Sequence, residues 1–297
     1  MIEHIKVDVL ETGRKLYHYT KAPALQSILE VNRLWATKHD FLNDRTEFEY
    51  AYKIFVTKIL SQIEDNELRI RLEEELDSEI QAELSGVSED GVLSGYYVAS
   101  FSKNSDNLAL WSEFAGGTGY SIGFDYDVLK KSFAINYCWE GEVVYDERVQ
   151  LKRLSDTWDI LLNDRCGCSL NEFLRIKNDD LNDELVRGIV ADMAVMCIAY
   201  GMFCKKSEFA MEEEYRFVFF ATHAESDTKE YAPLKFRNKR DILIPYIEVN
   251  SGIYEALDSI TVGPKNNIDI AKNGLELYCL SKGLNVKIDK SKILLRY

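Results

Sequence analysis

Phe209–Thr222, FAMEEEYRFVFFAT, is the stretch from which the fold can be read. The run Tyr215–Phe220 is rich in aromatic and β-branched side chains, which predicts a buried strand. Strand side chains alternate between faces, so Tyr215, Phe217 and Phe219 share one face, and Glu212, Glu214, Arg216 and Val218 the other. If the strand already runs at Glu212, the two carboxylates stand roughly 6.5–7 Å apart along one face, with an arginine beyond them. A solvated edge strand produces the same pattern, because charged side chains are mostly exposed. The local sequence leaves both readings open, a charged edge and a buried polar site.

The chain has 297 residues, 46% hydrophobic and 12% aromatic, enough for a sizeable core. Without repeats or low-complexity linkers, it reads as one domain over 1–297 with helical insertions at about 46–84 and 148–203. No apolar run approaches a membrane span, and the opening MIEHIKVDVLE lacks the basic-then-apolar pattern of a signal peptide. A cytoplasmic protein with no membrane partner is expected. The six cysteines form no CxxC pair, as expected of reduced thiols. Cys166-Gly-Cys168 has no histidine or second pair near it, so no metal is expected. A net charge of −14 opposes nucleic-acid phosphates at long range. The basic clusters, Lys205-Lys206 and Phe236–Arg240, read as solvated patches or loops.

Towards the N-terminus, Lys15–Thr20 (KLYHYT) reads as a strand with His18 on the face of Leu16 and Thr20, and Tyr17 and Tyr19 opposite. A lone strand histidine is ordinarily a packed core residue. Pro23 opens a short helix, and Leu34–Thr37 is a second strand. Helical spacing runs over Thr46–Ile63 and continues over Glu64–Leu84, where Leu68, Leu72, Leu76, Ile80 and Leu84 recur every fourth residue. Such a stripe is narrow and oblique, which predicts an exposed, protruding αα-hairpin over 46–84. Its outer face is solvated by default; a protein partner is the alternative. Tyr96–Ser102, Tyr120–Asp125 and Ile135–Tyr145 read as strands, and Arg148–Tyr200 as largely helical. Pro245 demotes Ile242–Val249 to an edge or bulged strand. Ser259–Val262 is a strand, Asn266–Lys282 a helix, and Val286–Ile288 and Ile293–Arg296 short closing strands. Strands mixed with irregular helical stretches predict α+β rather than a βαβ series.

Two tempting motifs fail on context. Gly119-Tyr-Ser121-Ile-Gly123 matches a nucleophile elbow, but strand-like residues follow the serine where a helix is required. Gly117-Thr-Gly119 followed by Gly123 has the wrong last spacing for a dinucleotide loop, and no strand precedes it.

Taken in order, LYHYT (Leu16–Thr20), ILE (Ile28–Glu30), LWAT with FLNDRTE (Phe41–Glu47), ASFSKNSDNLALWSEFA (Ala99–Ala115), GYSIGFDYD (Gly119–Asp127), KKSEFAMEEEYRF (Lys205–Phe217), ITVGP (Ile260–Pro264) and VKIDKSKILLRY (Val286–Tyr297) resemble a bacterial family designated domain of unknown function 2971. Arg45 stands where that pattern has proline, and the helical stretches Glu64–Leu84 and Arg148–Asp183 lie outside the shared motifs.

A more distant resemblance is to ADP-ribosyltransferase folds. These carry a histidine on the first strand, a serine-bearing strand mid-chain and a late strand glutamate. His18, Ser100-Phe101-Ser102 and Glu212/Glu214 occur here in that order. The resemblance implies a mostly antiparallel split sheet with NAD, or a related nucleotide, as substrate. It implies that His18 binds a ribose, that Glu214 stabilises an oxocarbenium-like sugar, and that Glu212 assists or activates an acceptor of unknown identity. Tyr19, Thr20, Asn43, Ser102 and Trp111 would line the cofactor pocket, and Arg216 or Lys205 would meet a phosphate. Tyr19 stands where those enzymes often have glycine.

The leading expectation is thus an NAD-using ADP-ribosyltransferase or NAD hydrolase. The alternatives are a non-catalytic binding protein of a toxin or anti-phage defence system, with Glu214 and Arg216 a structural ion pair, and another nucleotide- or nucleic-acid-processing enzyme.

Overall fold

Ten strands form one mixed sheet in the computed structural model, which describes residue 5 and residues 7–42, 46–87, 92–223, 231–239, 241–266 and 268–293. At 46–48 and 268 only the backbone is described. In chain order the elements are β1 (Lys15–Thr20), α1 (Ala22–Val31), β2 (Trp35–Lys38), α2 (Thr46–Lys58), α3 (Asn66–Ser85) and β3 (Ser94–Ser102). Next come α4 (Leu108–Glu113), β4 (Tyr120–Asp125), α5 (Tyr126–Lys131), β5 (Tyr137–Glu142), α6 (Glu147–Cys166), α7 (Leu170–Phe173) and α8 (Asp183–Gly201). The chain continues through β6 (Glu214–Thr222), β7 (Lys235–Lys239), β8 (Ile242–Glu248), β9 (Leu257–Val262), α9 (Ile268–Ser281) and β10 (Lys287–Lys290).

The sheet branches at β3. One path runs β10-β9-β4-β1-β3-β2-β8-β7; along the other edge of β3 lies β6, and beyond it β5. Among these strands β9 and β10 run parallel and the other pairs antiparallel. The path edge of β3 is shared: β2 pairs at Tyr97 and Val98, and β1 pairs at Ser102. Between those contacts the edge of β3 has no strand partner, and the sheet forks. The chain is α+β, as expected, with a mostly antiparallel open sheet.

Alternation in β3 and β6 feeds two cores. Tyr96, Val98 and Val218 join the side chains of α2, α3, α6 and α8 on one face. Tyr97, Ala99, Phe101, Tyr215, Phe217 and Phe219 join α1, α5 and α9 on the other. β6 lies between β3 and β5 and is buried on both faces, so the charged-edge reading of Glu214 and Arg216 is overturned.

The four-residue stripe of α3 is also buried. Leu68, Leu72 and Leu76 are fully covered and α3 packs along α8, so the segment does not protrude. Burying each leucine contributes about 1.5–3 kcal/mol, more than each half-exposed Glu–Arg pair along the helix could. Arg69 pairs with Glu73 and Arg71 with Glu75 within the helix, and Arg71 also reaches Asp183 at the start of α8. The long helical stretch breaks where Gly167 takes a left-handed conformation as the cap of α6 (φ 70°), and Asn182 caps α8.

Pro245 does not place β8 at an edge: β8 pairs with β2 on one side and β7 on the other. The β2 ladder ends at Tyr246, one residue short of the proline, which has no N–H to give. Of the cluster Phe236–Arg240, expected as a solvated patch or loop, Phe236–Lys239 belong to the edge strand β7, and Arg240 lies outside the described residues. Most of the expected closing strand Ile293–Arg296 lies outside the described residues. No helix among the described residues is long and apolar enough to cross a membrane.

Candidate active site

Directly paired strand residues point to one face. Register therefore places Ser100 and Ser102 of β3, Glu214 and Arg216 of β6, Trp35 and Thr37 of β2, and Lys235, Arg237 and Lys239 of β7 on the same side of the sheet. Over this face, at the fork between β1 and β2, opens a cleft of about 210 Å³. Tyr17, Leu110, Phe114, Phe41 and Leu42 wall it, and His18, Lys205, Glu212 and Glu214 line it with Arg216 and Arg237. The imidazole near the amino end and the late acidic pair share this one cavity.

The carboxylates are not consecutive positions on a strand face. β6 begins only at Glu214. Glu212 ends a 3-10 turn, Ser207–Glu212, and Glu213 between them takes a left-handed conformation (φ 47°). The kink brings both carboxylates onto one ammonium: Lys205 Nζ donates to Glu212 Oε2 at 2.6 Å and to Glu214 Oε2 at 3.2 Å. Arg216 clamps Glu214 with Nε to Oε1 at 2.7 Å and Nη2 to Oε2 at 2.8 Å, and donates Nη1 to the Met202 carbonyl at 2.7 Å. All four side chains are buried, Arg216 to 2% exposure.

These contacts drive the carboxyl pKa values apart. Burial pushes both up. For Glu214 it is outweighed by the charges of Arg216 and Lys205 and by hydrogen bonds from Arg216 and Ser100, which hold it at about 2. For Glu212 burial wins over Lys205, and the nearby Glu214 charge adds to it, so its pKa lies above the usual carboxylate value. His18 stands in the fork, its Nδ1 3.2 Å from the Ser100 carbonyl. A carbonyl only accepts, so Nδ1 carries the proton and Nε2 keeps a lone pair in the neutral ring. Burial lowers the His18 pKa and keeps that ring neutral, with the Arg237 charge acting in the same direction.

The other expected pocket residues divide. Tyr19 and Thr20 reach the cleft, but the Tyr19 hydroxyl is already committed, donating to the Asn104 carbonyl and accepting from the Asn107 N–H. Ser102 also lines the cleft, yet its hydroxyl donates to the Glu212 carbonyl at 2.8 Å and accepts from the Asn104 N–H. Ser102 thus fixes the turn that carries Glu212. Trp111 does not reach the cleft; its ring packs edge-on to Tyr19, and Nε1 donates to Asp106. Asn43 lies outside the described residues. Ser121 sits in mid-strand, 1% exposed, as its context demanded.

Arg237 and Trp35 escaped the sequence reading. The signal for Arg237 was available, since alternation over Lys235–Lys239 puts three cations on one strand face. Among the described residues no cluster of three or more His, Cys, Asp or Glu side chains could hold a metal ion.

Residues 110–217 match the family model described as Protein of unknown function (DUF2971). The segment matched to DUF2971 holds Lys205, Glu212, Glu214 and Arg216, the entire buried charge cluster, whereas His18, Ser102 and Arg237 lie outside it. No curated protein and no solved structure matches the chain.

Proposed function

We propose that the chain is an NAD-using glycosyl-transfer enzyme, an ADP-ribosyltransferase or NAD hydrolase, working in the cleft at the sheet fork. The observation that carries this reading is the convergence of His18, from the first strand, with Glu212 and Glu214, nearly two hundred residues later, on one opening. Two neighbouring carboxyls with separated pKa values take different roles. Glu214, held ionised, stabilises the positive charge that develops at C1′ as the bond to nicotinamide breaks and its electron pair leaves with the neutral base. Glu212, whose pKa lies nearer neutrality, takes the proton from the attacking hydroxyl or water as the new C1′–O bond forms. Neutral His18 orients the ribose. The cavity is smaller than the ~300–1,000 Å³ typical for drug-sized ligands, so it takes the nicotinamide-ribose end of a dinucleotide and leaves the remainder along the mouth.

Ligand binding without turnover is the second reading. It is favoured by the charge balance of the cluster, in which two carboxylates face two cations and both Glu214 oxygens already accept from Arg216. The two readings part in one pair of measurements. Under the first, NAD at about a hundred times its Kd stabilises the chain by about 2.7 kcal/mol, and product analysis finds nicotinamide with ADP-ribose or an ADP-ribosylated acceptor. Under the second, NAD or a related nucleotide raises the melting temperature and is recovered intact. A melting curve indifferent to NAD removes the first reading.

A further inference from the structure

Among the residues that line the cleft is a cation, Arg237, that the chemistry above does not use. Arg237 projects from β7 over the Trp35 ring, its guanidinium carbon 5.8 Å from the ring centroid, and donates Nη2 to Thr37 Oγ1 at 2.8 Å. Its Nε is buried and meets no hydrogen-bond acceptor. No carboxylate pairs with it among the described residues. The nearby carboxylate on β8, Glu248, is taken by Arg33 and Lys235. Burial disfavours the Arg237 charge, pulling its pKa below the usual arginine value.

Arg237 is half-buried, and a partly desolvated guanidinium without a counter-ion is costly, since cations drawn out of water are ordinarily paired. The buried cations of the cleft obey that rule: Arg216 and Lys205 are matched by Glu214 and Glu212. Arg237 breaks it while lining an open cavity. Its planar fork of donors suits a tetrahedral oxyanion, and Trp35 and Thr37 hold that fork in place. Lys239, two residues on along the same strand face, also lines the cavity.

We infer that Arg237, seated on Trp35 and Thr37, is an oxyanion site that receives the phosphate of a phosphorylated ligand at the mouth of the cleft. On the glycosyl-transfer reading, from which this inference takes its ligand, the group is the diphosphate of the dinucleotide. The site itself rests on the unpaired guanidinium. It divides the cleft into a neutral, carboxylate-bearing inner end for the sugar and a cationic outer end for the phosphates.

Calorimetric titration of the full chain with inorganic diphosphate tests this. Diphosphate binds the wild type, Arg237→Gln weakens binding roughly tenfold or more, and Arg237→Lys weakens it less. In the wild type, diphosphate also shifts the NMR signal of the Arg237 Nε–H, a readout that does not depend on a variant folding. No binding to the wild type, equal binding by Arg237→Gln, or an unmoved Nε–H signal overturns the site. A protein that binds diphosphate through Arg237 but releases no nicotinamide from NAD keeps the site and loses the glycosyl-transfer reading. One that consumes NAD with unchanged kcat and KM after Arg237→Gln keeps the chemistry and loses the site.

Discussion

Glu212 and Glu214 converge on the same ammonium, Lys205 Nζ, at 2.6 and 3.2 Å. Lys205 is the cation the two buried carboxyls share, whereas Arg216 serves Glu214 alone. Replacing Lys205 with Met leaves Arg216 to serve one of them. Loss of one partner from a buried ion pair costs about 3–5 kcal/mol. The deficit should shrink as the pH falls from 7 towards 5, because burial pushes the Glu212 carboxyl upward and makes it the readier of the two to take up a proton. Chemical denaturation of Lys205→Met at pH 7 and pH 5 checks this, and a Lys205→Met/Glu212→Gln double variant should recover much of the loss.

The Glu214–Arg216 clamp makes the opposite prediction for acid. The folded pKa of Glu214 lies below its unfolded value, so its contribution is whole above about 4.5 and is lost as the pH falls to about 2. Glu214→Gln removes that dependence and leaves Arg216 short of charge, at a cost of about 3–5 kcal/mol at pH 7. Exchanging both Glu214 and Arg216 for apolar residues should cost less than either single change. Acid titration of stability across that window, for the three variants, measures it.

Ser102 should behave as a positioning residue. Its hydroxyl holds the Glu212 carbonyl and the Asn104 N–H. Ser102→Ala strands both, at about 1–3 kcal/mol. If the cleft turns over substrate, kcat should fall with KM little changed, because the turn that aims Glu212 loosens while the ligand's own contacts remain. Steady-state kinetics separates the two parameters.

His39 supplies a pH effect away from the site. It lies edge-on to Tyr96, its Nδ1 is buried without a partner, and burial lowers its pKa to about 4. A lowered histidine pKa stabilises the fold above the unfolded value of about 6.5, and that contribution is lost as the pH falls from there towards 4. By pH 5 the loss is on the order of 1–2 kcal/mol. His39→Phe should flatten this limb in a stability–pH series.

Much of this architecture was legible because it follows from alternation. The faces of β3 and β6, and hence the two cores, could be read from Tyr96–Ser102 and Tyr215–Phe220. What could not be read was long-range partnership. The same Leu68–Ile80 stripe fits an exposed helix or one covered by α8, and periodicity does not name the cover. Glu212 and Glu214 looked like neighbours on a strand, whereas a left-handed Glu213 and a lysine nine positions before Glu214 set their actual relation. His18 met the acidic pair through a fork that depends on which strands share an edge of β3. Arg237 was missed because a basic run beside a loop has the composition of a solvated patch.

Release of nicotinamide from NAD tests the central claim most directly, measured for the wild type, Glu214→Gln and His18→Ala, each confirmed folded at the assay temperature. The account predicts turnover by the wild type, a fall of roughly a hundredfold or more for Glu214→Gln with Glu212 intact, and a smaller loss for His18→Ala. A wild type that consumes NAD at the same rate as Glu214→Gln would contradict it.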